Sequence, residues 1–557
     1  QDRSASADQP FKSPDGSVWL AGNGEIYNHR ELRGHYPGYP FCSNSDLEVA
    51  LPLLDESTAN VERLEGKFAL ILWNNRTREL ALVRDRAGEN PLFYALLDRG
   101  IVVASEIQAL LEFGVSRDLD ARALRSLFAL GFPLEPRTMF ERIRRVPSGS
   151  IVQFNGGDGQ VNRYWQPEEL SLDEDAEGRL QSEYRRAVED QIPDDLPFGV
   201  FLSGGLDSSL LVAVATRRVK VHTYTARFSD REFDESRHAR SISDRFGTIH
   251  HEIDLDGTRM AELFTTAVER IAEPVTDPAI IPTLALAEEA SHTVQVVLSG
   301  EGADELFGGY PTYPGHLWAQ RFQVIPRALR GTIKAAVRSL PPSTGRVPLE
   351  FLLRRFVDHA EAPWLERHAK WFGVAAEALV RGTREHDPWG DVSDTMHQSG
   401  GALPAALLLD YLTYLRDNLL VKIDRATMLH SIEARSPYLD TRLTQLALSL
   451  PSSRRVGGVK TKVALRELAR AYLPDAVIRR RKRGLSVPVA RLINGALRGE
   501  VDRLLRPDCL AVHGLLNETI IRRSLYEHRN GIANHWKALW TATVFQAWYQ
   551  RWIGGSP

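Results

Sequence analysis

The chain reads as an α+β N-terminal domain, then an α/β domain on a parallel sheet, then a large helical C-terminal extension. Three observations predict this. Short apolar or alternating runs separated by turn signals fill the first 165 residues. From residue 176 onward, strand-like runs alternate with helical patterns, as in a parallel sheet covered by helices. Beyond about residue 317 helical periodicity dominates to the end. A chain of 557 residues has room for about two to four domains with large cores.

In the first part, strands are expected at 18–21, 68–73, 79–83, 101–104 and 151–154, with helices at 46–54 and 121–130. Asn74-Asn75, Arg86-Ala87-Gly88 and Asn155-Gly156-Gly157 mark turns between them. A polar, acidic stretch at 166–175 separates the parts, so the expected domains are 1–165 and 176–557. In the second, strands fit 198–202, 221–228, 249–253 and 294–299, and helices fit 177–191, 208–217, 236–246, 260–271 and 282–290.

Composition is ordinary for a globular protein, with 43% hydrophobic and 25% charged residues. A formal net charge of −3 gives no reason to expect a nucleic-acid or membrane partner. The basic run from Arg479 to Arg483 is the exception: a solvated face, a nuclear signal or a phosphate-facing loop. Two cysteines, Cys42 and Cys509, exclude a disulfide scaffold and a four-cysteine zinc site and fit a reducing compartment. No apolar run approaches the ~20 residues of a membrane span, and the first residues lack a signal-peptide shape. The expected setting is the cytoplasm.

Residues 198–209 carry the densest signal. A buried strand ends at Leu202, and Ser203, Gly204 and Gly205 form a turn. Asp207, Ser208 and Ser209 then open a helix. Glycines let a ligand approach the backbone, and N–H groups at a helix start attract anions. Asp207 suits a hard cation such as Mg2+. The Walker A ending is absent; the loop resembles the Ser-Gly-Gly-x-Asp-Ser loop of enzymes that split ATP between its α and β phosphates.

A second strand runs into Ser299, Gly300, Glu301, Gly302, Ala303 and Asp304 on what should be the same sheet edge. Glu301 and Asp304, three apart on an incipient helix, can share a face. Lys460 and Lys462 precede a helix expected at 463–473, where a lysine can neutralise a leaving pyrophosphate. Charges in an apolar context, at Lys422, Asp424, Arg425, Glu433, Arg435 and Asp440, point to structural ion pairs, with substrate contact as the alternative.

Together these pieces resemble the glutamine-hydrolysing asparagine synthetases. The resemblance rests on the loops above and on Asn23-Gly24-Glu25-Ile26-Tyr27-Asn28, Ser45-Asp46-Leu47-Glu48, Gly66-Lys67-Phe68-Ala69 and Arg84-Asp85-Arg86-Ala87-Gly88. It continues in Ala104-Ser105-Glu106, Phe233-Asp234-Glu235-Ser236 and the segment from Glu433 to Asp440. It implies an Ntn-type glutaminase sandwich followed by an ATP-pyrophosphatase domain. It also implies ammonia passed through an internal tunnel, and amidation of aspartate by way of an acyl-adenylate, releasing AMP and pyrophosphate. The implied cofactors are ATP and Mg2+, and the implied assembly is a homodimer acting on small molecules.

By the same resemblance, Asn23 and Gly24 form a glutaminase oxyanion hole, and Glu25 and Asp46 hold the amino end of glutamine. Leu202, Ala226, Ser299 and Gly300 surround adenine and ribose. Ser203, Gly204, Gly205, Asp207, Ser208 and Ser209 hold pyrophosphate, with Asp207 and Asp304 near Mg2+. Glu301 serves adenylate formation, and Lys462 lies at the reacting phosphate. The run at 480–484 falls where the family has a Lys-x-Gly loop, which favours a place beside the site. The family's nucleophile is an N-terminal cysteine, whereas this chain starts at Gln1 and aligns inside the glutaminase domain. The expectation is a sandwich lacking about fifty residues, with no glutamine hydrolysis by the polypeptide as it stands. Competing readings are a same-fold amidotransferase for another carboxylate and a non-enzymatic scaffold built on a decayed synthetase.

Overall fold

The computed structural model describes the chain apart from residues 1, 3, 99, 158, 168–172, 174, 195, 341–348, 383–388, 390–400, 482–483 and 555–557. Most of the expected linker, and Lys482 and Arg483 of the basic run, lie outside the described residues.

Among the described residues, nine strands build the N-terminal part: β1 (Phe11–Lys12), β2 (Val18–Ile26), β3 (Gly66–Asn74), β4 (Glu79–Arg84), β5 (Phe93–Leu97), β6 (Gly100–Ala104), β7 (Arg144–Arg145), β8 (Ser150–Phe154) and β9 (Gln160–Arg163). They form a six-stranded antiparallel sheet in the order β1-β2-β3-β4-β8-β9 and a three-stranded one in the order β6-β5-β7. Leu70, Leu72, Ala81 and Val83 pack with the helix Ala50–Glu56, while Ala69, Leu82 and Val152 join a separate apolar cluster. That alternation is the period-two pattern of a sheet covered on both faces. Expected strands fall inside observed ones; β1, β5, β7 and β9 were missed.

The second part holds β10 (Phe198–Phe201), β11 (His222–Phe228), β12 (Ile249–Leu255), β13 (Val296–Leu298) and β14 (Glu433–Arg435). They pair parallel in the order β12-β11-β10-β13-β14. The chain leaves central β10 first toward one edge and later toward the other. This creates a crevice at the carboxyl ends of β10 and β13, where ligands bind in such sheets. The covering helices α1 (Ala176–Asp190), α2 (Leu206–Ala215), α3 (Ser236–Phe246), α4 (Gly257–Arg270) and α5 (Ile280–Ser291) lie close to their expected positions. α2 is buried on every side, so it carries no polar face.

Two large cores flank this sheet: Phe198, Val200, Val296 and Leu298 face one, Tyr224, Ala226, Phe228 and Val297 the other. The last helix, Trp536–Trp552, closes the second core. Its Trp540, Trp548 and Trp552 indoles donate to the carbonyls of Thr276 (2.9 Å), Ala272 (2.7 Å) and Val268 (3.0 Å). These bonds tie down the segment that leads into Asp277. Among the described residues, no helix is long and apolar enough to cross a membrane.

Three expectations need correction. The helical extension is interrupted by β14 and by a short hairpin, Val456–Gly457 with Lys460–Thr461. β14 escapes a periodicity reading because Glu433 and Arg435 are charged and are stabilised by ion pairs rather than apolar packing. The helix expected at 463–473 ends at Ala469, ahead of Pro474. Finally, the helix after the second loop starts at Ala303, so Glu301 and Asp304 do not share a helix face.

Candidate active site

The loop after β10 turns tightly at Gly204 (φ 68°), a left-handed conformation suited to glycine. A Cβ there would overlap the backbone of His238 and Ala239 in α3, so the loop sits flush on that helix. The Ser203 amide donates to Ser208 Oγ (3.2 Å), and the Gly205 amide donates to Ser203 Oγ (3.3 Å). Arg480 clamps the loop from outside, donating to the Gly204 carbonyl and to Glu235 Oε1, each at 2.8 Å. The basic run thus meets the loop through Arg480.

Lys462 is buried and adopts φ 54°, a strained position for a lysine. Its Nζ lies 2.6 Å from Asp207 Oδ1 and 2.7 Å from Asp304 Oδ1, drawing acids of both loops to one point. Two carboxylates beside hydroxyls form a donor set that fits Mg2+, which typically takes one or two carboxylates plus substrate phosphates. Among the described residues, no three His, Cys, Asp or Glu side chains form a ready-made metal cage. Next to Asp304, Glu305 is fully buried, and burial followed by the Asp304 charge pushes its carboxyl up to about 8. Tyr310 donates to it at 2.5 Å.

Gly309 packs against this cluster so closely that a Cβ would overlap Asp304 Oδ1 and Lys462 Cε. Gly309→Ala is therefore expected to displace Asp304 or Lys462. It should abolish the AMP formation that the resemblance implies while the protein stays folded by circular dichroism; wild-type rates in that variant would refute the crowding argument.

A cavity of about 260 Å3 opens over the sheet edge. Leu202, Tyr224, Ala226, Phe228 and Phe233 form an apolar end. Ser203, Asp207, Ser208, Ser299, Gly300, Glu301 and Asp304 form a polar end. Lys422 reaches in from the helix α6 (Leu420–Met428), with Nζ 3.3 Å from both Glu301 and Asp277. Burial opposes its charge, but the two carboxylates outweigh burial and raise its pKa. Ser209 lies deeper, fully buried, and does not line the cavity. Before α6, Tyr411–Leu419 winds as a π-helix, a rare form enriched at functional sites, and places Tyr414 and Leu419 on the cavity wall.

A second cavity, about 300 Å3, lies between the two parts of the chain. Asn23, Gly24, Lys67, Glu89 and Asn90 line it from one side, and Asp424, Thr427, Glu433 and Ser436 from the other. Ile423 lines both cavities. The loop after β4 is held by Asp85, which accepts from the amides of Gly88 (2.7 Å), Glu89 (2.9 Å) and Asn90 (3.0 Å). Asn90 then donates to the Asn23 carbonyl at 2.9 Å. Asp46 accepts from the Ile26 amide at 2.7 Å. Burial pushes the Glu25 carboxyl up to about 7, against the pull of Arg435 at 3.3 Å. Lys67 crosses to the other part, 3.2 Å from Glu433 and donating to the Ala434 carbonyl at 2.7 Å. Burial would raise the Glu433 carboxyl, but Lys67 and Arg435 prevail and hold it at about 2.

The profile of the glutamine amidotransferase domain matches residues 1–165, and that of asparagine synthase matches residues 179–550. The chain belongs to the asparagine synthase family. A Mycobacterium tuberculosis protein whose assigned name proposes a glutamine-hydrolyzing asparagine synthetase is 32% identical, over 97% of this chain and 85% of its own length. Glutamine-hydrolyzing asparagine synthetase 1 of Bacillus subtilis is 29% identical, over 97% and 87%. Amidase chry2 of Gibberella zeae is 25% identical, over 90% and 82%. This asparagine synthase family member is a ligase.

In it, the expected residues fall into two groups. Leu202, Ser203, Asp207, Ser208, Ala226, Ser299, Gly300, Glu301 and Asp304 come together around the first cavity, with Lys462 bonded to two of them. Asn23 and Gly24 border the second cavity, with Glu25 and Asp46 on or bonded to the same strand, β2. Asp277 and Arg466 escaped sequence reasoning as site residues. Arg466 carried a faint signal, one helical turn after Lys462; Asp277 follows no motif and arrives through the tryptophan-held segment.

Proposed function

We propose that this asparagine synthase family member makes an amide from a carboxylate by way of an acyl-adenylate, with L-aspartate as acceptor and glutamine or ammonia as nitrogen source. The products are L-asparagine, AMP and pyrophosphate, with glutamate where glutamine is the donor. The observation that carries the reading is the meeting of Asp207, Asp304 and Lys462 beside the Ser-Gly-Gly loop, with Glu301 in the same cavity.

Adenine and ribose occupy the apolar end, near Leu202, Ala226, Ser299 and Gly300. The β and γ phosphates lie on the loop from Ser203 to Ser208. Asp207 and Asp304 would hold Mg2+, which when bound offsets phosphate charge. An acceptor carboxylate oxygen attacks the α phosphorus, and the bond to the α–β bridging oxygen breaks. Lys462 stabilises the departing pyrophosphate, and Glu301 orients the acceptor. Ammonia then attacks the acyl carbon, AMP leaves, and the nitrogen loses a proton.

The N-terminal sheets are read as an Ntn-type glutaminase sandwich. Asn23 and Gly24 serve as its oxyanion hole, and Glu25 and Asp46 hold the glutamine amino group. Ammonia passes along the second cavity and Ile423. The similarity to an amidase, at 25% identity, supports a second reading, amidation of a different carboxylate. ATP–pyrophosphate exchange measured with aspartate and a panel of carboxylic acids decides. Aspartate alone should support exchange; exchange with another acid moves the acceptor, and none with any acid removes the adenylation reading.

A further inference from the structure

Beyond the loop of Ser203 to Asp207 lies a narrow throat of about 30 Å3. It shares Ser203, Asp207 and Glu235 with the nucleotide cavity. Its far wall, Arg466, Arg480 and Arg481, is also the near wall of a much larger cleft of about 1370 Å3. Nucleotide cavity, throat and cleft therefore stand in series. The cleft is rich in positive charge, with Lys460, Arg470 and Arg479 added to the three arginines. Its acids are Glu232 and Glu467, the latter 3.3 Å from Arg470 in an exposed pair that offsets little of the field.

Among the described residues, Lys460, Arg466 and Arg481 have no carboxylate partner. Arg466 spends its nitrogens on the carbonyls of Thr461 (2.8 Å), Ile478 and Arg480 (3.3 Å), so its charge is met by carbonyl dipoles and by the field of Asp207 rather than by an ion pair. Those bonds also fasten the Arg480 segment to the helix behind Lys462.

We infer that this basic cleft is a pyrophosphate passage, separate from the opening that admits the nucleoside. The inference rests on the adenylation reading above. Pyrophosphate released on the Ser203 loop faces the throat, whereas the acyl-adenylate stays in the apolar end beyond Asp207. A field of one sign lining a low-dielectric cleft steers a polyanion along it. Arg480 and Arg481 stand on the wall of this throat, and their side chains swing aside to widen it as the ion passes. Both carry their charge with it as they move. Pyrophosphate can then depart while the adenylate remains shielded from solvent.

The test uses exchange kinetics with inorganic pyrophosphate on the intact chain. Lys460 and Arg470 are exposed and lie outside the throat. The double variant Lys460→Glu with Arg470→Glu should raise KM for pyrophosphate about five- to tenfold and flatten its dependence on salt, while KM for ATP moves less than about twofold. The charge-keeping pair Lys460→Arg with Arg470→Lys should restore the parent value. Equal shifts for both ligands, or no shift for pyrophosphate, would overturn the passage and leave adenylation standing. Absence of exchange in the unsubstituted enzyme with every acid would overturn both.

Discussion

Lys462→Met should lower the rate of AMP formation by about 10²–10³-fold at saturating ATP, the scale of losing one preorganised electrostatic donor. The variant leaves Asp207 and Asp304 facing a methyl group where an ammonium stood within 2.7 Å of both. Burying two carboxylates without a counter-charge also costs stability, so the thermal midpoint should fall. Added Mg2+ should recover part of that fall, because a divalent cation satisfies the same oxygens. Lys462→Arg should not rescue, since Gly309 already packs against Lys462 Cε and leaves no room for a guanidinium. Near-normal AMP formation by Lys462→Met would remove this lysine from the chemistry.

The largest effect on stability is expected from Arg145→Met. Arg145 is 1% exposed and joins the N-terminal part to the rest through Glu273 (2.5 Å) and Asp417 (3.0 Å). Each acid keeps one other arginine: Arg425 lies 3.1 Å from Glu273 and Arg416 lies 2.8 Å from Asp417. The loss should therefore sit at the lower end for a broken buried pair, about 3 kcal/mol. Burial works against the Glu273 carboxylate, but Arg145 and Arg425 overcome it and hold its pKa below the ordinary glutamate value. A carboxyl lowered in this way stabilises the fold above its unfolded pKa, and that contribution fades as pH falls through the folded pKa. Without Arg145 the folded pKa rises, so acid unfolding should begin at a higher pH. A pH titration of the thermal midpoint checks both effects. An unchanged midpoint and acid profile would show that Arg145 does not bind the two parts together.

Elements whose side chains follow a period were legible in the sequence. The helix at 236–246 was placed at its observed ends, and the strands of the parallel sheet were found because they are short apolar runs between turns. The two loops at the polar end of the first cavity were legible because glycine, hydroxyl and acid occur together after a strand. β14 was not, because its ion pair is with Lys67, far away in sequence in a different part of the chain, and no local pattern records that pairing. Asp277 was invisible for a similar reason: the last helix, far away in sequence, sets its position. Glu301 and Asp304 were both singled out, but their partners, Lys422 and Lys462, could be assigned only in three dimensions.

Among the described residues, Ile423 is the one side chain with a surface on both cavities. At that point the partition is a single side chain thick. Rotation about one isoleucine torsion is a picosecond-to-nanosecond event in open surroundings and slower in a packed wall. Crossing between the compartments then needs no movement of one half of the protein against the other. The same thinness acts as a sieve. A branched aliphatic group that turns aside makes space for something the size of water or ammonia, and a methylated amine would have to displace its neighbours as well. On the proposed reading, discrimination among nitrogen donors arises in the wall itself, before any of them meets the activated carboxylate.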